Sequence, residues 1–343
     1  MSTAAEIRAA TLAAHRQVIA LDKAALDDLI RLYTDAANEI AGRISRVGGN
    51  VNFSQLADLR EQIKTILEGL QRQRNTLLNQ NIGRAADLGV VPFDDLALAQ
   101  NITVPVSVAT SRVSQDAVRF VRNFIARDGL QLSDRIFRID RAARENIIST
   151  LERAVVQGQG AAQAARELLS RGEPVSAQVA SKIEEANSAR LSAQVKQILA
   201  GEKSPMNDAL RLMRTEINRA HGEAYMMSGG DHPDFAGWKY LLSPAHPKPD
   251  ICDLLSSQNL HGLGDGVYPS RDETPWPAHP NTLSFIAIVF KDEVSDADRA
   301  GKQSEREALD DLSADQRIGV LGKKNADLFD QGKFRKDYIP EAA

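Results

Sequence analysis

Over the first 230 residues apolar positions recur at the three- and four-residue steps of amphipathic helices. Between Ile7 and Val47 they fall at Ile7, Leu12, Val18, Leu21, Leu26, Leu29, Ile30, Tyr33, Ala37, Ile40 and Ile44. Gly48-Gly49-Asn50 stops this run. A second helix is predicted after Asn52, with Gln55 three residues on in a capping-box pattern. Its apolar positions are Leu56, Leu59, Ile63, Ile66, Leu67, Leu70, Leu77 and Leu78. Two long helices joined by a glycine turn predict an antiparallel hairpin that buries one face on itself and offers another to a partner.

Residues 85–110 break the period. Gly89, Pro92 and Pro105 punctuate Val90, Val91, Phe93, Ile102, Val104 and Val106, which reads as a loop with a short strand. Helical spacing returns from Ser111 to Met227, divided at Gly129, Gly158-Gln159-Gly160, Gly172-Glu173-Pro174 and Gly201. Ser204-Pro205 starts the last piece, a serine cap followed by proline at the first helical position. Leu210, Met213, Ile217, Ala220, Ala224 and Met227 form its expected core stripe.

The pattern changes at Gly229. Eight of the thirteen prolines lie from Pro233 to Pro280, together with both tryptophans and His246, His261 and His279. Gly237–Leu242 reads as a strand, and Leu283–Phe290, apolar on both faces, as a buried one. Loops fill 244–282 between them. Residues 292–313 are strongly charged and predict a linker or exposed helix; 313–335 predict a final helix. The fold class expected is mainly α: an N-terminal helical hairpin, a helical middle and a small α+β module with an antiparallel sheet and long loops. The expected segments are 1–107, 108–230, 231–291 and 292–343.

Composition adds limits. The 343 residues are 43% hydrophobic, 26% charged and only 5% aromatic, a globular and helix-favouring balance. A single cysteine, Cys252, excludes an internal disulfide framework and any zinc site with two cysteines from one chain. No apolar run approaches the roughly 20 residues needed to span a bilayer. The first residues lack the basic start and apolar core of a secretory signal. A soluble chain, cytoplasmic at synthesis and without a membrane partner, is expected. The net charge of −4 divides as −1 over 1–107, +4 over 108–230 and −7 over 231–343. Solvated helix faces account for that division, and an interface between unlike surfaces is compatible with it.

Three patches stand out in order. The first is Leu130–Phe137 with Val155–Gly160 and Ala164–Leu169. The second is Arg214-Thr215-Glu216-Ile217-Asn218-Arg219-Ala220. The third runs from Trp238 through Cys252-Asp253-Leu254-Leu255 to Pro277-Ala278-His279-Pro280-Asn281. This order resembles the phage Mu F-like minor head protein family, also described as phage head morphogenesis proteins. The resemblance covers about residues 130–290, with a weaker echo at Gln316–Gly322. It marks Arg214, Glu216, Trp238, Cys252, His279, Pro280 and Asn281 as structural motif residues. It implies a virion protein of the head, near the portal vertex, with portal protein and major capsid protein as partners. Non-specific contact with packaged DNA, no enzymatic activity and no cofactor complete the expectation. The family's two cysteines after His-Pro-Asn correspond here to Thr282 and Ser284.

The residues themselves admit other chemistry. Arg214 and Glu216 are two apart on a helix and need separate partners; Arg219 and Glu223 are spaced to pair at i,i+4. The structural expectation is that Arg214 and Glu216 tie this helix to the sheet module, against a catalytic arginine–glutamate pair. Cys252, His279 and Asn281 are the types a cysteine hydrolase needs, a thiolate with a base and an orienting group. His246, Cys252, His261 and His279 are four acceptable zinc ligands, though without a compact ligand spacing. The bland alternative makes His279 a hydrogen-bonding anchor, with Pro280 fixing its backbone and Asn281 closing an Asx turn. Trp238 and Trp276 read as satellite core that pins the loops. Gly262–Gly266 precedes no helix and reads as a flexible turn rather than a phosphate cradle. The arginines between Arg112 and Arg144, irregularly spaced with few aromatics, allow phosphate contact but not sequence readout.

Overall fold

The structure is a computed structural model that describes residues 4–94, 107–126, 128–244, 246–333 and 335–340. It is mainly helical with one small sheet, as the periodicity predicts. The chain divides into two compact units, each assembled from separated stretches. The first comprises Met1–Lys23, Gln80–Gln131 and Leu212–Ala343; the second comprises Ala24–Asn79 and Leu132–Arg211. These are not the four consecutive segments expected, because the long helices of the hairpin contribute residues to both units.

The hairpin is formed by α1 (Ala4–Ser45) and α2 (Phe53–Val90). At the start of α2, Asn52 and Gln55 exchange side-chain-to-backbone hydrogen bonds, completing the expected capping box. The α3 helix (Val108–Asn123) belongs to the first unit. The helical unit adds α4 (Leu132–Ser170), α5 (Ala177–Glu185) and α6 (Ser188–Ala200). Gly48 and Gly49 both take positive φ, and the turn they make is tied to the α5–α6 junction: Gly49 O accepts from Ser188 N, and Val51 N donates to Ala186 O. Leu29, Ile40, Ile44, Ile63, Ile147, Leu151, Leu191 and Val195 are fully buried. Arg74 is buried and forks onto Asp140 at 2.5 and 3.0 Å, so its charge is paired. Leu12 and Ile30, expected in the core stripe of α1, are exposed. The α4 helix runs unbroken through Gly158-Gln159-Gly160, although the glycine pattern predicts a divider there.

The first unit carries α7 (Pro205–Gly229) from Leu212 onward, and the sheet. Strand β1 (Phe235–Leu241) lies between β2 (Val267–Tyr268) and β3 (Phe285–Phe290), antiparallel to both. Trp238 is opposite Tyr268 on one side and Ile288 on the other; Tyr240 is opposite Ile286. The period-2 alternation sends Trp238, Tyr240, Tyr268, Ile286, Ile288 and Phe290 into one core, with Tyr225 and Met226 of α7 and Ile7 of α1. Val267, Val289 and Val294 form a smaller cluster.

Three expectations need correction here. Residues 85–90 continue α2 instead of breaking it. A Cβ at Gly89 would sit 2.4 Å from His221 O, so the glycine that looks like a helix breaker permits close approach to α7. The remainder of the expected strand, including Ile102, Val104, Pro105 and Val106, lies outside the described residues. Second, of the two readings of the charged stretch after residue 291, the helix and not the linker is found, and it is not wholly exposed. It folds into α9 (Asp296–Ala300) and α10 (Glu305–Asp310), and Ala308, Leu309 and Leu312 join the sheet core. Its acids cap: Ser295 with Asp298 and Ser304 with Glu307 form capping boxes. Third, the final helix is two, α11 (Ala314–Leu321) and α12 (Lys323–Asp330), divided at Gly322 with φ +74°. Among the described residues no helix is long and apolar enough to cross a membrane.

Two outcomes follow from this packing. Helical glycines normally cost roughly 0.5–1 kcal/mol relative to alanine, and Gly69 of α2 has nothing within 4 Å of an added Cβ. At Gly222 of α7 the same Cβ would lie 1.9 Å from the Trp276 indole nitrogen. Gly69→Ala will raise the melting midpoint and Gly222→Ala will lower it; equal shifts would contradict the close approach. His221 is fully buried, and burial, assisted by His15, holds its pKa down to about 3. From pH 6.5 toward 3 the unfolded chain takes up a proton there that the folded chain refuses, so stability falls as pH falls through this window. Denaturant titrations across it will show an acid limb steeper in the wild type than in His221→Gln, by on the order of a few kcal/mol at full protonation.

Candidate functional site

Every residue from Thr215 to Met226 along α7 is buried, polar ones included. Buried polar groups need partners, and several of these partners come from the loops around the sheet. Arg214, at the edge of this run, donates from Nε to Asp22 Oδ2 and from Nη1 to Asn281 Oδ1, both at 3.0 Å. Thr215 Oγ1 accepts from Asn281 N at 2.9 Å. Asn218 Nδ2 donates to Thr282 O at 3.0 Å and Ser284 O at 3.3 Å. Asn281 has φ +70°, a conformation asparagine tolerates better than most residues. Four hydrogen bonds therefore fasten the segment just before β3 to the helix.

Glu216 reaches a different partner. It pairs with Arg219 at 3.3 Å, both side chains almost wholly buried, and the Arg219 guanidinium lies 3.9 Å from the centre of the Phe124 ring. The expected Arg219–Glu223 pair is replaced: Glu223 accepts from Arg271, whose guanidinium lies 4.7 Å from the Phe120 ring. Arg214 thus ties α7 to the loop as expected, while Glu216 engages a residue of its own helix. Burial raises the pKa of Glu223, with Arg271 opposing the shift.

The second half of the site is built by α8 (Ile251–Ser257). Asp250 caps it: Oδ1 accepts from Cys252 N at 2.8 Å, and Asp253 returns a bond to Asp250 N. The cap leaves Asp250 Oδ2 to face His279 Nε2 at 3.2 Å. Cys252 Sγ, fully buried, is also 3.2 Å from Nε2. Tyr240 OH donates to the sulfur at 3.1 Å from β1, and Thr282 Oγ1 lies 3.7 Å away. His279 Nδ1 faces Pro280 O at 3.0 Å; a carbonyl only accepts, so Nδ1 carries a proton. Hydrogen bonds to Asp250 and Cys252 raise the His279 pKa to about 10, against burial. Asp250 is desolvated, yet the bonds from His279 and Cys252 N bring it down to about 2. Burial first, and Cys252 second, push Tyr240 above the ordinary phenol range.

The predicted residues are only partly united. Cys252 and His279 meet. Asn281 does not orient His279 and makes no Asx turn, because Arg214 and Thr215 hold it. His246 bonds Asp253 Oδ2 at 2.9 Å, and His261 lies edge-on to Tyr268; neither joins Cys252. The four-ligand alternative that the sequence allows is therefore not assembled. Asp250, Cys252 and His279 instead bring their ligand atoms within 4.8 Å of one another. Trp238 and Trp276 are core residues, as expected, and Trp276 packs onto α7 at Gly222. Sequence reasoning missed Asp22, Tyr240 and Asp250, and gave Asn218, inside the second patch, no role of its own. Asp250 left a signal, the Asp-x-x-Asp capping spacing that begins two residues before the lone cysteine.

As a nucleophile pair the arrangement is incomplete. The sulfur has no exposure, and the imidazole nitrogen facing it is shared with a carboxylate rather than oriented from its far side. As a brace it is well supplied: Asn218→Leu would leave two buried carbonyls without their donor, at about 1–3 kcal/mol. Thermal melts will show Asn218→Leu below the wild type, with helix content retained; an unchanged midpoint would mean the loop does not depend on α7. No family model, curated protein or solved structure matches this chain.

Proposed function

We propose that the chain is a structural minor head protein of a tailed phage or prophage, of the Mu F-like kind, that acts by docking and not by catalysis. The observation that carries the reading is the Arg214–Asn281 hydrogen bond, joined by Thr215 to Asn281 N. The two motifs on which the family resemblance rests, 67 residues apart, meet in space and hold each other. Thr282, where the resemblance puts a cysteine, has its hydroxyl 3.7 Å from Cys252 Sγ, so a third motif position converges there. A polar cluster used to fasten a loop to a buried helix suits a rigid end-piece.

The proposed partners are the portal protein and the major capsid protein, in the head near the portal vertex. The long helices α1, α2 and α4 supply an elongated interface, and stable assemblies of this sort bury more than roughly 2,000 Å². Exposed apolar side chains on α4, Phe137, Val156 and Leu169, are the kind such a surface uses. Exposed arginines on the same helix, Arg138 and Arg141, suit non-specific contact with packaged DNA. A hydrolytic reading draws on the Cys252–His279 contact, and the burial of the sulfur weighs against it.

Co-sedimentation with the cognate portal protein during head assembly tests the proposal. The chain will travel with portal-containing particles, and Cys252→Ser will travel equally. Normal heads assembled without the chain, or association abolished by the serine variant while its fold persists, would contradict it.

A further inference from the structure

We propose that Asp250, Cys252 and His279 form a zinc site with three protein ligands and one position open to solvent. The inference stands apart from the head-protein reading and needs nothing from it.

The donor set is the first argument. A thiolate, an imidazole and a carboxylate are the three side-chain ligands zinc takes, and the sulfur separates zinc from magnesium and calcium, which prefer oxygen. The second is spacing. Sγ and Oδ2 each lie 3.2 Å from Nε2, and all three ligand atoms fall within 4.8 Å of one another. Tetrahedral zinc, with bonds of about 2.3 Å to sulfur and 2.0–2.1 Å to nitrogen and oxygen, needs edges of about 3.3–3.6 Å. The two edges at Nε2 have to open by only a few tenths of an ångström, and the third, between Sγ and Oδ2, is no longer than 4.8 Å. A metal entering it displaces the protons on Sγ and Nε2, which pass to water.

Orientation is the third. Metal-bound histidines commonly donate their other ring N–H to a carbonyl or carboxylate, and His279 Nδ1 faces Pro280 O at 3.0 Å. Tyr240 OH donates to the sulfur, and Cys252 N holds the second oxygen of Asp250. Each ligand thus has an outer partner that fixes its direction. Asp250 and Cys252 share the capped first turn of α8; His279 arrives on the loop braced by Thr215 and Asn218. The His279 and Asp250 side chains are 33% and 27% exposed, which gives the ion an entry path and the fourth position a solvent ligand. Zinc here would join that loop to α8 more firmly than hydrogen bonds alone.

Cobalt(II), a spectroscopic stand-in for zinc, supplies the test on the full chain. The wild type will bind one equivalent and develop a thiolate-to-cobalt charge-transfer band in the near ultraviolet. Cys252→Ser will lose that band with an unchanged circular dichroism spectrum. Asp250→Asn and His279→Gln will weaken zinc affinity by at least about 100-fold, beyond the loss of a mere outer partner, while His261→Gln will bind as the wild type does. A wild type without the band at excess cobalt, a band that persists in Cys252→Ser, or wild-type affinity in His279→Gln would each overturn the proposal.

Discussion

The structure around the sheet depends on the burial of a polar helix. From Thr215 through Met226, α7 offers no solvated face, yet Thr215, Glu216, Asn218, Arg219, His221 and Glu223 lie within it. An unpaired polar group in such a place costs as much as several buried methylenes contribute. Surrounding segments present matching groups to Thr215, Asn218 and Glu223: the carbonyls of Thr282 and Ser284, the amide of Asn281 and the guanidinium of Arg271. The loops are ordered for the same reason. They carry little regular secondary structure of their own, and the helix supplies the partners that their backbone lacks.

Much of the fold is legible in hydrophobic spacing. The 3.6-residue period locates α1, most of α2 and α7, and the short apolar runs through Trp238 and Ile288 locate the two main strands. What is lost is lost to local signals taken in isolation. Gly89 and Pro92 look like breakers, but Gly89 lies inside a helix where another backbone comes close. The acidic run after Asp292 looks like a solvated linker or exposed helix, but its serines and acids are capping boxes, and Leu309 and Leu312 after them are core. Leu12 and Ile30 fit the apolar period and still face solvent, because a periodic stripe does not say how wide a face its neighbours cover.

The site is legible by residue type and not by partner. Arg214, Cys252, His279 and Asn281 all stand out in the sequence, but the partition among them follows from tertiary geometry. Asn281 has the right chemistry to orient His279 and is taken instead by Arg214 and Thr215. Glu223 has the right spacing for Arg219 and is taken by Arg271, while Arg219 lies against Phe124 and pairs with Glu216. Asp250 escapes notice because a helix cap uses one carboxylate oxygen and leaves the second unaccounted for in sequence. That second oxygen is what brings a carboxylate to the imidazole and the thiol.

Native-state hydrogen exchange resolved to single amides tests the bracing most directly. The amides of Asn281 and Ser284 lie in the segment preceding β3, outside helix and strand, where exchange is ordinarily fast. If buried α7 side chains hold this segment, both amides will exchange only with the global opening that releases Ile217 and Ala220. Exchange of Asn281 and Ser284 at loop rates while α7 remains protected would show that the helix is buried without bracing anything.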